Sequence, residues 1–280
     1  MTSAIDIRNL SATSNFGPVL RNVSVSVTTG EAMALVGESG AGKSTIAKAV
    51  LGILPDAIKV TSGEIHFAGH DLLTLPSKEM RALLGVRIAL IPQDPLTALN
   101  PSRRIGDQLT DGFRLRAGQT RKQAHTNAIE LLNDVQIREP ETVMRQYPHE
   151  LSGGMRQRVL IAQAFSLKPE LIIADEPTTA LDVTVQKQVL HLIAQLQKTH
   201  GTTLLFVSHD LGVVAQVCDH ISVLFGGMIL EQGPTSAVLE NPQHAYTRAL
   251  LAANPRYDQP EKRLQPISAE LLASLREDIA

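Results

Sequence analysis

Short apolar stretches separated by polar turns recur along most of the chain. Residues 5–7 and 23–27 alternate apolar with polar side chains, and this period of two predicts half-buried strands. The run 32–36 is apolar throughout, which is typical of a strand covered on both faces. Further strands are predicted at 63–71, 87–91, 171–174, 203–207 and 221–225.

The spacing of apolar residues becomes helical between about residues 94 and 157. Ile105, Leu109 and Phe113 recur every four residues, and a second series runs from Ala124 to Val135. We interpret this region as an inserted α-helical subdomain, because short strands alternate with helices before and after it. That alternation predicts an α/β fold with a mostly parallel sheet.

Prolines at positions 242, 255, 260 and 266 set the end of the chain apart. We predict a main domain over residues 1–240, including the helical insertion at about 94–157, and a carboxy-terminal appendage over 241–280. One more helix is predicted from Ser268. The sequence suggests no role for the tail after Pro255.

Charge and aromatic content argue against a nucleic-acid-binding protein. The 26 Lys and Arg residues nearly balance the 28 Asp and Glu residues, so the net charge of −2 creates no field that attracts a polyanion. Six Phe, three Tyr and no Trp are few rings from which to build a base-stacking surface. We expect no nucleic-acid partner.

The cysteine count, the opening stretch and the length of the apolar runs exclude three further kinds of feature. The single cysteine, Cys218, excludes an internal disulfide and a cluster held by four thiolates, and we expect it to be a small buried apolar residue. The opening stretch MTSAIDIRNL lacks a basic region followed by an apolar one, so we expect no signal peptide. Because no run approaches 18 apolar residues, we also expect no membrane-spanning helix.

A glycine-rich motif follows the apolar run 32–36. Residues 37–44 read GESGAGKS and fit the phosphate-binding loop G-x-x-x-x-G-K-[ST], in the strand–loop–helix context that this motif needs. Its backbone N–H groups surround a phosphate, its lysine reaches the β- and γ-phosphates, and its last hydroxyl binds Mg²⁺. The residues predicted to hold ATP here are Gly37, Glu38, Ser39, Gly40, Ala41, Gly42, Lys43, Ser44 and Thr45.

An apolar strand that ends in two carboxylates predicts the second half of a nucleotide site. Asp175 and Glu176 follow the run 171–174, at the strand end where open α/β sheets bind ligands. We predict that Asp175 holds Mg²⁺ through water and that Glu176 acts as general base on the attacking water. An isolated Asp-Glu pair is more often a solvated turn, but the phosphate-binding loop upstream favours the catalytic interpretation.

The sequence LSGG at 151–154 indicates the kind of ATPase. A serine and two glycines that open a helix make a second phosphate-binding surface, although LSGG alone predicts a helix cap equally well. Placed 21 residues before Asp175, it resembles the signature of ATP-binding-cassette (ABC) ATPases. The resemblance spans nearly all of residues 5–253. It implies a P-loop (RecA-like) ABC core with an N-terminal antiparallel β part, in which Ser152, Gly153 and Gly154 complete the ATP site of an opposing subunit.

The same resemblance assigns roles to four further residues. Gln93 matches the Q-loop glutamine, which senses Mg²⁺ and links the site to the helical insertion. His209 matches the switch histidine at the γ-phosphate, where an isolated histidine would be a surface residue. Asp182 belongs to the D-loop-like segment 179–182 and equally suits a helix cap. Phe16 is either the ring that stacks on adenine or a core aromatic.

Two longer segments resemble importer ATPases for oligopeptides, dipeptides or nickel. Residues 93–101, QDPLTALNP, match their insertion, and 241–247 match their His-Pro-Tyr-Thr element with Ala245 in place of the proline. The resemblance implies an ATP-hydrolysing subunit on the cytoplasmic face of the inner membrane. Its implied partners are two transmembrane permease subunits, a second, paralogous ABC ATPase and an extracytoplasmic solute-binding protein. Peptides are the favoured cargo, and nickel, a metal chelate or an opine is the alternative.

Two other functions are compatible with parts of this pattern. A non-transport ABC ATPase would need long coiled-coil arms, zinc-binding cysteines or two cassettes in tandem, and the sequence contains one phosphate-binding loop and one signature. A cassette that binds ATP without hydrolysing it is disfavoured by the presence of Lys43, Asp175, Glu176 and His209.

Two other clusters are set aside. His66 and His70 lie four residues apart, but Gly69 between them predicts a hairpin rather than a metal site on one helix face. The arginines and lysine between positions 103 and 122 form either a solvated helix face or a contact to lipid headgroups or the membrane partner.

Overall fold

A computed structural model describes residues 2–179, 181–253 and 267–278. Its strands are β1 (Ser3–Ser14), β2 (Gly17–Thr28), β3 (Ala32–Val36), β4 (Ile58–Phe67), β5 (His70–Asp71), β6 (Ile88–Ile91), β7 (Leu171–Asp175), β8 (Thr203–Ser208), β9 (His220–Phe225) and β10 (Met228–Pro234). Its helices are α1 (Lys43–Val50), α2 (Ser77–Leu83), α3 (Pro95–Ala98), α4 (Ile105–Asp111), α5 (Arg121–Asp134), α6 (Pro140–Arg145), α7 (Gly153–Phe165), α8 (Val183–His200), α9 (Leu211–Val217), α10 (Thr235–Glu240), α11 (Ala245–Ala253) and α12 (Ala269–Asp278). A π-helical turn over Gly112–Arg116 and a 3₁₀ turn over Pro148–Glu150 complete the set.

The chain forms two compact units. Unit 1 contains the residues up to Pro76 and those from Thr203 onward, and unit 2 contains Ser77–Thr202. Neither limit coincides with the predicted boundary at residue 240, so the division into 1–240 and 241–280 stays a prediction.

An antiparallel sheet opens unit 1, with strand order β2-β1-β4-β5. Ile5 pairs with Val27 and Ile7 with Val25, and these four side chains are buried on one face, as the period of two predicted. Strand β4 begins at Ile58 rather than near 63, because its first half pairs with Ser11–Ser14 of β1.

A second sheet in unit 1 has the local order β10-β9-β3-β8. Strand β3 runs parallel to both β8 and β9, whereas β10 pairs antiparallel with β9. All five residues of β3 and all six of β8 are buried, as expected for strands covered on both faces. The predicted sheet of mostly parallel strands is confirmed.

Unit 2 combines a short parallel strand pair with helices. Strands β6 and β7 pair from Ile88 with Leu171 to Ile91 with Ala174. The helical region predicted at about 94–157 contains helices α3 to α6 and the start of α7. Of the apolar positions that predicted it, Leu131 is half-buried and the others are buried: Ile105, Leu109, Phe113, Ala124, Ala128, Leu132 and Val135. Thr120 opens α5 with a capping box that includes Gln123.

The end of the chain is described in two pieces. Helices α10 and α11 follow β10, and α12 follows Ser268, whose hydroxyl accepts a hydrogen bond from the Leu271 N–H at 3.2 Å. The last helix predicted from Ser268 is therefore confirmed. Residues 254–266, which include three of the four prolines, lie outside the described residues.

Membrane-spanning segments were searched for over the described ranges. None of the helices there has the length and apolarity needed to cross a bilayer.

Candidate nucleotide site

The phosphate-binding loop connects β3 to α1 in unit 1. Lys43, only 4% exposed, donates from Nζ to the carbonyl oxygens of Gly37 at 2.7 Å and Glu38 at 2.8 Å. These two carbonyl oxygens offset part of the cost of burying the ammonium. The loop therefore folds around its own cation, which is the charge that a phosphate ligand requires.

Close backbone packing fixes the start of this loop. Gly37 has φ 151°, and a Cβ atom built on it would lie 2.2 Å from the carbonyl oxygen of Leu224 in β9. A side chain is therefore excluded at this position.

The start of α1 fits a phosphate group. Gly42 is its N-cap and makes no side-chain capping bond, so no capping side chain occupies the helix start. Ser39 and Gly40 are exposed in front of it, whereas Ser44 and Thr45 are half-buried. A helix start of this kind, beside a buried lysine, suits the triphosphate of ATP.

His209 lies at the same edge of unit 1 as the loop. In the parallel pair of β3 and β8, Val36 is opposite Ser208, so the next residues, Gly37 and His209, follow neighbouring strand ends. His209 is exposed. The next residue, Asp210, caps α9 by accepting from the N–H groups of Gly212 and Val213.

Phe16 lies in the turn between β1 and β2. Its side chain is fully exposed, at 102%. The alternative that it is a core aromatic is therefore wrong. Its stacking on adenine stays a prediction.

The two carboxylates and the Q-loop glutamine lie together in unit 2. Gln93 follows β6, and Asp175 ends the neighbouring parallel strand β7. The Gln93 amide donates to Glu176 Oε2 at 3.2 Å. Sequence reasoning placed these side chains at strand ends, and the structure joins two of them by a hydrogen bond.

Glu176 has an unusual backbone conformation. Its φ of 46° lies in the left-handed region, which costs a non-glycine residue about 1–2 kcal/mol. Such strain is concentrated at functional sites, where surrounding contacts hold it. It therefore supports a functional role for this carboxylate.

Thr179 is a site residue that the sequence analysis missed. Its hydroxyl donates to the same Glu176 Oε2 at 3.0 Å. The available signal was its position three residues after Glu176, within the turn that follows β7.

The signature segment opens helix α7. Ser152 is the N-cap, and its hydroxyl accepts from the Met155 N–H at 3.3 Å, so the cap interpretation is correct. Ser152 and Gly153 are exposed, which leaves the helix start accessible to an anion. Gly154 is tightly packed, because a Cβ there would lie 2.8 Å from a methyl group of Val185. The role of these residues in a second ATP site stays a prediction.

Asp182 is a helix cap in this structure. Its Oδ1 accepts from the N–H groups of Thr184 and Val185 at 3.1 and 3.0 Å, at the start of α8. Ala180, two positions earlier in the D-loop-like segment, lies outside the described residues, and nucleotide contact by Asp182 stays a prediction.

The residues predicted to bind Mg²⁺ are Ser44 in unit 1 and Gln93 and Asp175 in unit 2. Hydroxyl, amide and carboxylate oxygens are ligands that Mg²⁺ accepts alongside substrate phosphates, so this donor set fits the ion. Over the described ranges, no group of three or more His, Cys, Asp or Glu residues is placed to hold a metal.

His66 and Cys218 lie outside the proposed site, and the structure accounts for both. His66 lies in the β4–β5 hairpin, and its Nε2 pairs with Glu64 at 2.7 Å. Cys218 is buried, as predicted, and burial raises the pKa of its thiol.

Comparison with protein families decides the assignment. The family profile described as "ABC transporter" matches residues 20–179, more than half of the chain. The chain belongs to the ABC transporter family. It is an ABC ATPase, and the matched range includes its phosphate-binding loop, its LSGG segment and its strand-end carboxylates.

A second profile matches the end of this ABC ATPase. Residues 230–277 match the family described as "Oligopeptide/dipeptide transporter, C-terminal region". The resemblance of residues 241–247 to the importer branch is thereby confirmed, although Ala245 replaces a proline.

Individual relatives span most of the ABC ATPase. It is 48% identical over 249 residues to the "Probable D,D-dipeptide transport ATP-binding protein DdpD" of Escherichia coli, covering 89% of this chain and 76% of the relative. It is 43% identical over 272 residues to the dipeptide transport ATP-binding protein DppD of Bacillus subtilis, covering 95% and 81%.

Solved structures share the fold of the ABC ATPase. The ATP-binding cassette MJ0796, in a dimeric post-hydrolysis state bound to ADP and Pi, matches with a TM-score of 0.73 and 25% identity, covering 82% of this chain and 98% of that one. The protein cbiO1 from Clostridium perfringens, part of the ABC transporter complex cbiONQ, matches with a TM-score of 0.73 and 26% identity, covering 86% and 92%.

Proposed function

We propose that this ABC ATPase powers the import of peptides across the inner membrane. The observation that carries the cargo assignment is the match of residues 230–277 to the oligopeptide/dipeptide C-terminal region. The names of the relatives support it, since both describe dipeptide transport. Cargo specificity would belong to other subunits, while this chain supplies the hydrolysis.

The phosphate-binding loop neutralises the triphosphate in this mechanism. Lys43 and the start of α1 offer positive charge and N–H groups to the phosphates, and His209 would contact the γ-phosphate from a neighbouring strand end. Ser44, Gln93 and Asp175 are the residues proposed to hold Mg²⁺, whose charge would offset that of the phosphates.

Glu176 prepares the attacking water. Its carboxylate would accept a proton from that water, and the hydrogen bonds from Gln93 and Thr179 orient it for this task. Both bonds end on the same oxygen, Oε2.

A second cassette completes each site in the proposed assembly. The exposed helix start at Ser152 and Gly153 would contact the ATP of the opposing subunit, adding electrostatic stabilisation at the moving γ-phosphate. The other proposed partners are two transmembrane permeases and an extracytoplasmic solute-binding protein, with this chain on the cytoplasmic face. The opposing cassette is proposed to be a paralogue.

Uptake measurements test the proposed cargo. Deletion of the gene should abolish uptake of labelled di- and oligopeptides and leave nickel uptake unchanged. The wild-type gene should restore peptide uptake, whereas a Glu176→Gln copy expressed at the same level should not. Loss of nickel uptake with peptide uptake intact would refute the peptide assignment.

Steady-state ATPase measurements test the shared site. The isolated chain should hydrolyse ATP slowly, because half of each site comes from a partner, and turnover should rise on assembly with the second ATPase and the permeases. An isolated monomer that turned over as fast as the assembled transporter would contradict this.

A further inference from the structure

Tyr246 joins the carboxy-terminal element to the interior of unit 1. It lies near the start of α11, its side chain is fully buried, and its ring packs on Phe225 of β9 with centroids 4.8 Å apart. Burial raises the pKa of Tyr246 to about 12, so the hydroxyl stays protonated and neutral near pH 7. A buried tyrosine hydroxyl needs a hydrogen-bond partner.

That partner is the phosphate-binding loop. The N–H of Glu38 donates to the Tyr246 hydroxyl at 3.3 Å. The carbonyl oxygen of the same residue accepts from Lys43 Nζ at 2.8 Å. Glu38 is therefore held through its N–H by the carboxy-terminal element and through its carbonyl by the lysine of the loop.

A charged anchor positions the start of α11. Glu231 of β10 accepts the N–H of Gln243 at 2.8 Å and that of His244 at 3.0 Å, and His244 Nδ1 accepts the N–H of Tyr246 at 3.1 Å. Burial raises the pKa of Glu231, but the Thr247 side chain, the two N–H donors and the His244 imidazole together outweigh this effect, and the net pKa is lowered. The ionised carboxylate fixes the backbone that carries Tyr246.

We propose that Tyr246 is a positioning residue of the nucleotide site. Its hydroxyl holds the Glu38 peptide, and through it the carbonyl that orients Lys43, in the conformation that receives the phosphates. The inference rests on the proposed binding of ATP at this loop. If Tyr246 acts in this way, residues 230–277, which match the oligopeptide/dipeptide family, contribute to nucleotide binding as well as to any role in the transporter assembly.

Replacement of Tyr246 by phenylalanine isolates the hydroxyl. The ring and its contact with Phe225 remain, while the Glu38 N–H loses its acceptor in a partly buried position. The loop then populates other conformations before ATP binds, which lowers affinity without changing the groups that act on bound ATP. We expect the Kd for ATP to rise about three- to tenfold.

The test measures ATP affinity and stability on the full-length chain. ATP binding is titrated by calorimetry for the wild type, Tyr246→Phe, Tyr147→Phe and Lys43→Ala, and thermal unfolding is recorded without nucleotide. Tyr147→Phe is the matched control, because it makes the same chemical change at a tyrosine of unit 2. The ATP affinity of this variant should equal that of the wild type. In the assembled transporter, Tyr246→Phe should raise KM for ATP and leave kcat within about twofold of the wild-type value.

The possible outcomes test separately the positioning role of Tyr246 and the binding of ATP at this loop. A Tyr246→Phe variant with wild-type ATP affinity, whether or not its melting temperature falls, would show that the tyrosine has only a structural role and would overturn the proposal. If Lys43→Ala also bound ATP normally, the assignment of the ATP site to this loop would itself be wrong. Weakened binding by Tyr246→Phe with a wild-type Tyr147→Phe supports the positioning role.

Discussion

The phosphate-binding loop of unit 1 and the carboxylate loop of unit 2 serve the same proposed reaction but are built differently. Backbone packing shapes the first, since Gly37 meets the Leu224 carbonyl and buried Lys43 is held by two carbonyl oxygens. Side chains shape the second, where Gln93 and Thr179 donate to a strained Glu176. The first loop is therefore coupled to the fold of its unit, whereas the second is adjustable through a few side-chain hydrogen bonds.

Because the two loops are built differently, we expect substitutions in them to affect different properties of the protein. Changes in the phosphate-binding loop should affect the free energy of unfolding as well as ATP binding, because the loop packs on β9. Changes in the carboxylate loop should affect turnover and leave stability and ATP affinity nearly unchanged. Four variants test this contrast.

Replacement of Glu176 by glutamine should have the largest effect. The amide keeps the shape of the side chain but cannot accept the proton of the attacking water, so kcat should fall about 10²- to 10⁴-fold while ATP still binds. Single-turnover hydrolysis and ATP titration on the assembled transporter measure the two quantities. Glu170→Gln is the matched control and should turn over normally, and a Glu176→Gln variant with the parental rate would refute the assignment of the base.

Replacement of Gly37 by alanine should destabilise the fold of unit 1. The new Cβ would lie 2.2 Å from a backbone oxygen that cannot move away alone, so the free energy of unfolding should fall by about 3 kcal/mol. Gly40→Ala is the control, because a Cβ there meets nothing within 4 Å and costs only the strain of its φ of 83°, about 1–2 kcal/mol. Urea unfolding measures the free energy of unfolding of both variants. Equal losses of stability in Gly37→Ala and Gly40→Ala would mean that packing on β9 does not fix the loop.

Replacement of Thr179 by valine removes one of the two donors to Glu176 Oε2 at nearly constant volume. We expect kcat to fall about three- to tenfold, with ATP affinity and stability close to wild type. The control is Thr126→Val, because the hydroxyl of Thr126 donates to the Lys122 carbonyl within helix α5. This variant should leave kcat unchanged. A fall in ATP affinity instead of kcat would show that Thr179 supports binding and not the base.

The smallest effect is expected at the opposite ends of β6 and β7. Arg87 donates from two nitrogens to Glu170 at 2.6 and 2.8 Å, and this hydrogen bonding lowers the pKa of Glu170. A carboxylate whose pKa is lower in the folded than in the unfolded protein stabilises the fold at any pH above the unfolded pKa. This stabilisation is lost as the pH falls through the folded pKa. Because both side chains are partly exposed to solvent, Glu170→Gln should lower the free energy of unfolding by less than about 1 kcal/mol at pH 7. Urea unfolding curves of the two proteins should converge as the pH falls through the lowered pKa of Glu170, and a difference that persists once this carboxylate is protonated would exclude the ion pair as its cause.

Local patterns predicted much of this molecule. The period of two gave the faces of β1 and β2, the apolar runs gave β3, β7, β8 and β9, and the spacing of GESGAGKS gave the loop between β3 and α1. Each of these signals lies within about a dozen residues, and each describes a constraint that the local backbone must satisfy by itself.

Contacts between distant segments were not predictable in the same way. Glu38 and Tyr246 are separated by 208 positions, and neither residue type indicates the other. The left-handed backbone of Glu176 also has no sequence signal, because glutamate does not favour that conformation. The early start of β4 depends on its pairing with β1, which the short alternation of Ile58 and Val60 with polar residues does not specify. Sequence patterns register local preferences, whereas these features depend on what the fold brings together.

The discontinuity of unit 1 has a consequence for the synthesis of the protein. Strand β3 emerges from the ribosome early, but its parallel neighbours β8 and β9 follow about 170 and 190 positions later. Until then the buried faces of β3 lack their partners, and Glu38 lacks its tyrosine until α11 has been made. Pairing over such distances in sequence is slow and leaves apolar strands exposed to aggregation. The nascent chain should therefore depend on chaperones until the last part of unit 1 has emerged.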